Sequence, residues 1–397
     1  MVIPKQRRFR RRSVLTVLAA VLAVAATLVV VVIFRPTTRL EAGTGRPTGA
    51  VDTLTATSSA ATSAETPTSM SAESTPSASA ESTTAQTTQL NIVPSVAIPT
   101  VDGSPIDVGK PAGFAAISPD GRLVYIANRE ADKVTVVDTT SNQRVAEITI
   151  SAGPPWFIAF TPDGSRAYVS IYNSDKTINR VAVLDTRTTR LLGTIDVDQK
   201  PYALAVSNDQ KSVYVPSHDT GTIDIIDIAT NTLTNRIPVA PNPHWVTFTP
   251  DGKTAYIANH ESNVLSVLDV ASGAVVKMIP VGTSPHSVAV SPDGKQVTVV
   301  CYDSSDLYFI DTATNEVLGK VDVGTKPQDV SYAADGRYLY TANVDGNSVS
   351  VVDTETMAVT ATITTPTPSS VAVLPNGRKA YVTNLDAGTI TMLDTAH

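Results

Sequence analysis

From about Gly109 to the C-terminus, apolar residues come in short runs that largely alternate with polar ones, separated by turn-forming residues. Period-two patterning in runs of this length predicts β-strands. Residues 243–284 show the pattern most fully. There the runs 246–249, 254–258, 264–268 and 275–281 read as four strands. Between the first two lies Pro250-Asp251-Gly252, in which Pro fixes φ at the second turn position and Gly takes the positive φ that closes a hairpin. The turn recurs at Pro119-Asp120-Gly121, Pro162-Asp163-Gly164 and Pro292-Asp293-Gly294, with variants at Asn208-Asp209-Gln210 and Pro375-Asn376-Gly377.

The whole unit repeats. A proline precedes the first run at Pro111, Pro155, Pro201, Pro243, Pro285, Pro327 and Pro368, and an aspartate closes the third at Asp138, Asp185, Asp227, Asp269, Asp311, Asp353 and Asp394. Subtraction gives aspartate spacings of 47, 42, 42, 42, 42 and 41 residues, a period that marks a propeller, solenoid or array. A four-stranded meander cannot bury both of its faces alone, and radial stacking of seven such units closes into a ring. The predicted fold is all-β: a seven-bladed β-propeller of four-stranded blades over residues 91–397.

The chain stops just past the third strand of the seventh unit, so its outer strand must come from upstream. Residues 106–111 share the spacing of 321–327, a fourth strand running into the next blade, and residues 104–109 are therefore expected to close the ring and remove its free edge.

The N-terminal quarter reads differently. Residues 1–12 carry Lys5, Arg7, Arg8, Arg10, Arg11 and Arg12, a basic cytoplasmic tail, and residues 13–34 follow with a long uncharged apolar run. The run is long enough to span a bilayer as a single-pass signal-anchor helix. Positive charge before it keeps the N-terminus in the cytoplasm and sends the rest outside. A cleaved signal peptide is the rival, with a small-residue site at Ala23-Val24-Ala25. Residues 35–90, rich in Ser, Thr, Ala and Pro, read as a disordered linker, a plain spacer or an O-glycosylated stalk.

Charge and cysteine content narrow the function. Nine of 30 basic residues precede residue 47 and five of 37 acidic residues precede residue 91, leaving 21 against 32 and a folded part near −11. Nucleic acid is not an expected partner, because its binding rests on basic surface. Cys301 is the only cysteine, which excludes an intrachain disulfide and CxxC-type metal or haem motifs. Walker loops, nucleophile elbows, HExxH and EF-hand loops are absent. The seven landmark aspartates precede Thr-x-Thr or Ala-x-Asn turns and are assigned to Asx turns.

Four segments, Val124-Tyr125-Ile126-Ala127-Asn128, Ala255-Tyr256-Ile257-Ala258-Asn259, Leu339-Tyr340-Thr341-Ala342-Asn343 and Ala380-Tyr381-Val382-Thr383-Asn384, each lead into a strand ending in an aspartate. Over residues 109–395 the chain resembles the YVTN-family β-propeller repeat. The resemblance implies a propeller of the kind found in surface-layer and cell-surface proteins, periplasmic binding proteins, lactonase-like enzymes and parts of cofactor-bearing reductases. It carries no catalytic motif, so individual residues must decide.

Propeller ligands usually sit at one mouth of the central channel, reached by two rings of loop residues. The residue after each landmark proline gives Ala112, Trp156, Tyr202, His244, His286, Gln328 and Ser369; the residue after the motif asparagine gives Arg129, Tyr172, His218, His260, Tyr302, Val344 and Leu385. Blades 2 to 5 thus bear aromatic and imidazole side chains, and the loop 172–180 in blade 2 is longer than its counterparts. Three readings stand. In the first, the histidines recur only because the units are duplicates. In the second, Trp156, Tyr202 and Trp245 with His218, His244, His260, His286, Arg129 and Tyr302 form a site for an envelope protein, a peptide or a small polar ligand. In the third, His218, His244, His260 and His286 hold a divalent metal, with Glu261 and Asp219 beside them. The last would suit a lactonase-like or lyase-like enzyme; the first two suit a recognition scaffold at the cell envelope.

Overall fold

The computed structural model describes residues 91–396, and the proposed basic tail, anchor helix and linker lie outside them. The described part is seven antiparallel sheets, six of them built from four consecutive strands. Blade 4 is representative: Pro243–Phe248, Thr254–Asn259, Val264–Asp269 and Ala274–Pro280 pair in chain order from the axis outward. Among the described residues no helix is long and apolar enough to cross a membrane.

The middle two strands of each blade are buried on both faces, as Ala255, Tyr256, Ile257 and Ala258 are in blade 4. Their cores lie between blades: Tyr256, Leu265 and Val267 of blade 4 pack with Val288, Val297 and Val299 of blade 5. The motif tyrosine does more than fill this interface. Tyr168 donates its hydroxyl to Asn231 Oδ1 at 3.0 Å, Tyr256 to Asn315 Oδ1 at 2.7 Å and Tyr381 to Asn142 Oδ1 at 2.9 Å, in each case the outer turn of the next blade. The motif asparagine works within its own blade. Buried Asn128 donates to the carbonyls of Gly109 and Pro111, and Asn259 to that of Ala240, tying the second strand to the connection entering the first.

On the opposite face the Pro-Asp-Gly turns form a ring around the axis. Gly294 has φ +74°, and a Cβ there would stand 3.2 Å from Pro250 Cδ of the preceding blade; Gly121 meets Pro375 of blade 7 in the same way at 3.3 Å. Glycine is favoured twice over, for its backbone and for its neighbour, although Gln210 holds the same turn position in blade 3 at φ +60°. The landmark aspartates make the expected turns, as when Asp269 Oδ1 accepts from Ser272 N at 2.8 Å and Asp227 Oδ1 from Thr230 N at 2.8 Å.

The seventh sheet closes the ring. Its own strands are Pro368–Val373, Lys379–Asn384 and Thr389–Asp394, and the outer position is filled from upstream. The donated segment is longer than the pattern implied and is broken in two. Ile106–Asp107 pairs with Ile390 and Thr389, as expected, but Thr100–Val101 also pairs with Asp394 and Leu393. Between them Asp102 N donates to Met392 O, and its carboxylate pairs with Lys379 at 2.5 Å. A strap before this strand reaches further: Val93 N donates to Asn376 O, Ser95 N and Oγ to the Asp335 carboxylate, and Thr360 Oγ1 to Ala97 O.

A fragment starting at residue 109 should therefore be less stable than one starting at residue 91 by on the order of 5 kcal/mol, from several backbone hydrogen bonds at about 1 kcal/mol each. Urea midpoints of the two fragments check this; equal midpoints would mean that the ring closes without its donated strand.

Candidate functional site

The first mouth ring is aimed by a backbone irregularity. In blade 4 Pro243 pairs with Asn259 and Trp245 with Ala258, so His244 is an extra residue in its strand, and a register shift occurs at the same place in blades 2, 5, 6 and 7. A bulge re-aims the side chain it carries. It sends His244 to the mouth and reverses the expected position of its neighbour.

At the mouth the aromatic side chains form one continuous arc. Trp156 stacks on Tyr172 at 4.4 Å and 9°, with its Nε1 donating to the Tyr172 carbonyl at 2.8 Å. Tyr172 meets Tyr202 at 5.3 Å, Tyr202 meets His244 at 4.0 Å, His244 meets His286 at 3.9 Å and His286 meets Tyr302 at 5.5 Å. A cation caps each end: the Arg129 guanidinium lies 4.6 Å from the Trp156 ring and the Lys326 ammonium 4.7 Å from that of Tyr302. The rings belong to blades 2 to 5 and the capping cations to blade 1 and the loop entering blade 6, while blades 6 and 7 supply Gln328, Val344, Ser369 and Leu385, none of which carries a ring.

Inside the arc is a cavity of about 160 Å³ lined by Arg129, Trp156, Tyr172, Tyr202, His244 and His286, with Gln328, Ser369 and Leu385 on the open side. His244 Nδ1 donates to the His286 carbonyl at 3.2 Å and His286 Nδ1 to the Gln328 carbonyl at 2.7 Å. Each imidazole is thereby tied to the next blade, with Nε2 left as an acceptor. Burial, joined by the neighbouring imidazoles, holds the His244 pKa well below its usual value, and burial likewise lowers His286 to about 3. Both are neutral at pH 7. Two groups here lack hydrogen-bond partners among the described residues: Gln328 Oε1 is buried without one, and the Arg129 guanidinium, stacked on Trp156, makes neither hydrogen bond nor ion pair.

The second ring brings His218 and His260 together on adjacent blades, their ring centres 6.5 Å apart, just outside the cavity. His218 Nδ1 lies 2.8 Å from Asp219 Oδ1. Burial opposes ionisation of Asp219, but hydrogen bonds from Lys176 and His218 and the charge of Lys200 outweigh it and lower its pKa to about 2. Lys176 belongs to the long loop of blade 2, which thus reaches over blade 3 to pair with Asp219. Burial also lowers the pKa of His260, against the charge of Glu261. The four imidazoles are contiguous but do not converge on one point. The donor atoms that come within 4.8 Å of one another belong to His218, His260 and Glu261, not to His244 or His286.

Trp245 is not at the mouth. It sits one residue past the bulge and joins Phe114 and Phe157 in a plug across the channel, with ring separations of 5.5 and 5.6 Å to the two phenylalanines, which are 4.4 Å from each other. Beyond the plug a second chamber of about 400 Å³ opens toward the Pro-Asp-Gly face. Its wall includes Asp329, 3% exposed, a residue that reading the mouth rings passes over. The signal was present one position further on. The second residue after the landmark prolines reads Gly113, Phe157, Ala203, Trp245, Ser287, Asp329 and Ser370, with a single charge among them. Asp329 accepts from Ser287 Oγ and Val330 N on one oxygen and from Ser370 Oγ and Val371 N on the other, all at 2.8 to 3.0 Å, joining blades 5, 6 and 7. Burial pushes its pKa up to about 6 in spite of these donors. Buried Cys301 is inert packing, its thiol pushed up to about 12 by burial.

Residues 248–334 match the family described as YNCE-like beta-propeller. The chain is 34% identical over 137 residues to the seven-bladed beta-propeller protein Rv1057 of Mycobacterium tuberculosis, covering 34% of this chain and 33% of that one. It is 32% identical over 112 residues to the protein YncE of Salmonella typhimurium, covering 28% and 30%. These matches span about a third of each relative's length. A chain of Kuenenia stuttgartiensis hydrazine synthase superposes with a TM-score of 0.66 at 24% identity, over 75% of this chain and 99% of that one, which shows the fold alone. The chain is a propeller repeat protein.

Asp329 makes stability depend on pH. Its folded pKa of about 6 exceeds the ordinary 3.8, so its contribution is fully present below about pH 4 and is lost as pH rises through 6. Relative to Asp329→Asn, the parent chain should lose on the order of 2 to 3 kcal/mol of unfolding free energy between pH 4 and pH 7. Denaturant titrations of both chains across that window test this, and a pH-independent difference would refute it.

Proposed function

We propose that this chain is a recognition module whose mouth pocket takes a small planar ligand, or an aromatic side chain presented by a peptide or an envelope protein. The observation that carries this reading is the arc of stacked rings enclosing a small cavity with two unpartnered polar groups on its wall. Trp156 and Tyr202 offer apolar faces, and the Arg129 fork suits a carboxylate. Gln328 Oε1 and Nε2 of His244 and His286 offer acceptors to a donor-bearing edge. A ligand with an acidic end and hydrogen-bond donors at the other satisfies the whole set. A lactonase-like or lyase-like enzyme on this face would need a cation held by the histidines to polarise a carbonyl and an imidazole to act as base. His244 and His286, which line the pocket, do not join a common donor cluster with the other two, which favours binding here instead.

The same proposal puts the propeller outside the cytoplasmic membrane, carried by residues 13–34 as a signal anchor with 35–90 as the tether. Its support is the basic cluster of residues 1–12 followed by an uncharged apolar run long enough to span a bilayer.

Calorimetric titration with aromatic carboxylic acids and with peptides ending in Trp, Tyr or Phe should find binders. The double substitution Arg129→Ala, Trp156→Ala should weaken them at least about ten-fold while shifting Tm by no more than a few degrees. Absence of any binder, or binding indifferent to both substitutions, would overturn the reading. Cell fractionation tests the location: the full chain is expected in the membrane fraction, with its propeller released by protease added to intact spheroplasts. Recovery of full-length chain in the cytosol would count against it.

A further inference from the structure

We infer that the second mouth ring holds a single divalent transition-metal ion of the Zn²⁺ class, ligated by the imidazoles of His218 and His260 and the carboxylate of Glu261. This goes beyond the planar-ligand reading and does not rest on it.

The donor set fits by type. Two imidazoles and one carboxylate with a position left open is a common arrangement for Zn²⁺ and its neighbours. It also fits by placement. His218 and His260 are structurally equivalent residues of adjacent blades, each one past the end of a second strand, at Ser217 and Asn259. The rigid pair of sheets therefore fixes their separation. One donor atom from each of the three residues lies within 4.8 Å of the others. Tetrahedral bonds of about 2.0 to 2.1 Å put ligand atoms about 3.4 Å apart. The remaining contraction falls on His260, which is partly exposed, and on Glu261, which is exposed. Neither side chain makes a hydrogen bond or an ion pair among the described residues, so side-chain rotation breaks none, and its cost falls on the stacking of His260 against His244 at 5.4 Å.

His218 is pre-set for ligation. Its Nδ1 lies 2.8 Å from Asp219 Oδ1, which fixes the proton on that nitrogen and leaves the Nε2 lone pair free. A carboxylate behind a ligating imidazole is the usual outer partner in metal sites. Asp219 is itself held by Lys176 and Lys200. Those two ammonium groups are thereby turned to Asp219, while Lys326, the other lysine near this rim, is paired with Asp303. His244 and His286 lie outside the set because they line the inner cavity and their donor atoms do not join this cluster.

The test is Zn²⁺ binding to the full chain, stripped with a chelator and titrated in competition with a chromophoric indicator. The expected result is one equivalent of ion bound per chain. His218→Ala, His260→Gln and Glu261→Gln should each weaken it at least about ten-fold, and Asp219→Asn by about 10- to 100-fold. Circular dichroism reports whether each variant folds; if His218→Ala does not, the two variants at the less buried positions decide. No competition with the indicator, or an affinity that these substitutions leave unchanged, would overturn the site. Arg129→Ala, Trp156→Ala should retain Zn²⁺, so a failure of the planar-ligand reading and a failure of this one remain distinguishable.

Discussion

The structure depends on one constraint: a four-stranded sheet whose central strands are apolar on both faces must be covered twice, and a neighbouring sheet of the same build covers each face. The interface tyrosines show how the requirement is met. Tyr168, Tyr256 and Tyr381 span the gap and end on a turn of the next blade, each adding a hydrogen bond of about 1 kcal/mol to the apolar area it buries. Tyr214 makes no such bond among the described residues, and Tyr340 lacks one for a reason that marks the closure. Its hydroxyl is buried without a partner. The blade it faces is the seventh, whose outer strand arrives from the far end of the chain, so no turn between third and fourth strands is there to receive it. The orphan hydroxyl is a local cost of joining the ring with a donated strand.

Given that scaffold, the mouth is made by what departs from regularity. The bulge after the landmark proline in blades 2, 4, 5, 6 and 7 turns one side chain per blade toward the axis, and the residue at that position differs between blades. Blades 2 to 5 spend the position on Trp156, Tyr202, His244 and His286, blades 6 and 7 on Gln328 and Ser369. The cavity is therefore lopsided, rings on one side and small polar groups on the other. A ligand would meet it in one orientation. The histidines divide in the same manner: the inner pair is neutral and tied to backbone, the outer pair is freer and accompanied by carboxylates.

Most of the fold was legible in the sequence because repetition multiplies weak signals. A single Pro-Asp-Gly turn or Tyr-x-x-Asn strand is ambiguous; several at a period of 42 residues are not. Individual side chains were harder wherever the backbone leaves the simple alternation of a strand. Trp245 follows His244 immediately and reads as its companion, yet the bulge between them sends it into the plug. Asp329 was missed for the related reason that its ring faces the opposite chamber, where a single acid among small and aromatic residues stands out only once blades are compared position by position. Residues 100–101 of the closing strand were hidden by the break at 102–105, which interrupts the pairing pattern. The convergence of His218 with Glu261 depends on the angle between blades, which spacing does not encode.

The strap and the donated strand have a mechanical consequence. Any tension transmitted along the chain from before residue 91 enters the propeller at Val93 and Ser95, where it is shared between blade 7 through Asn376 and blade 6 through Asp335. Only past those anchors does it reach the paired strand. Load is thus spread over two neighbouring wedges before the seam is pulled, so the joint that completes the ring is shielded from the first force applied to it.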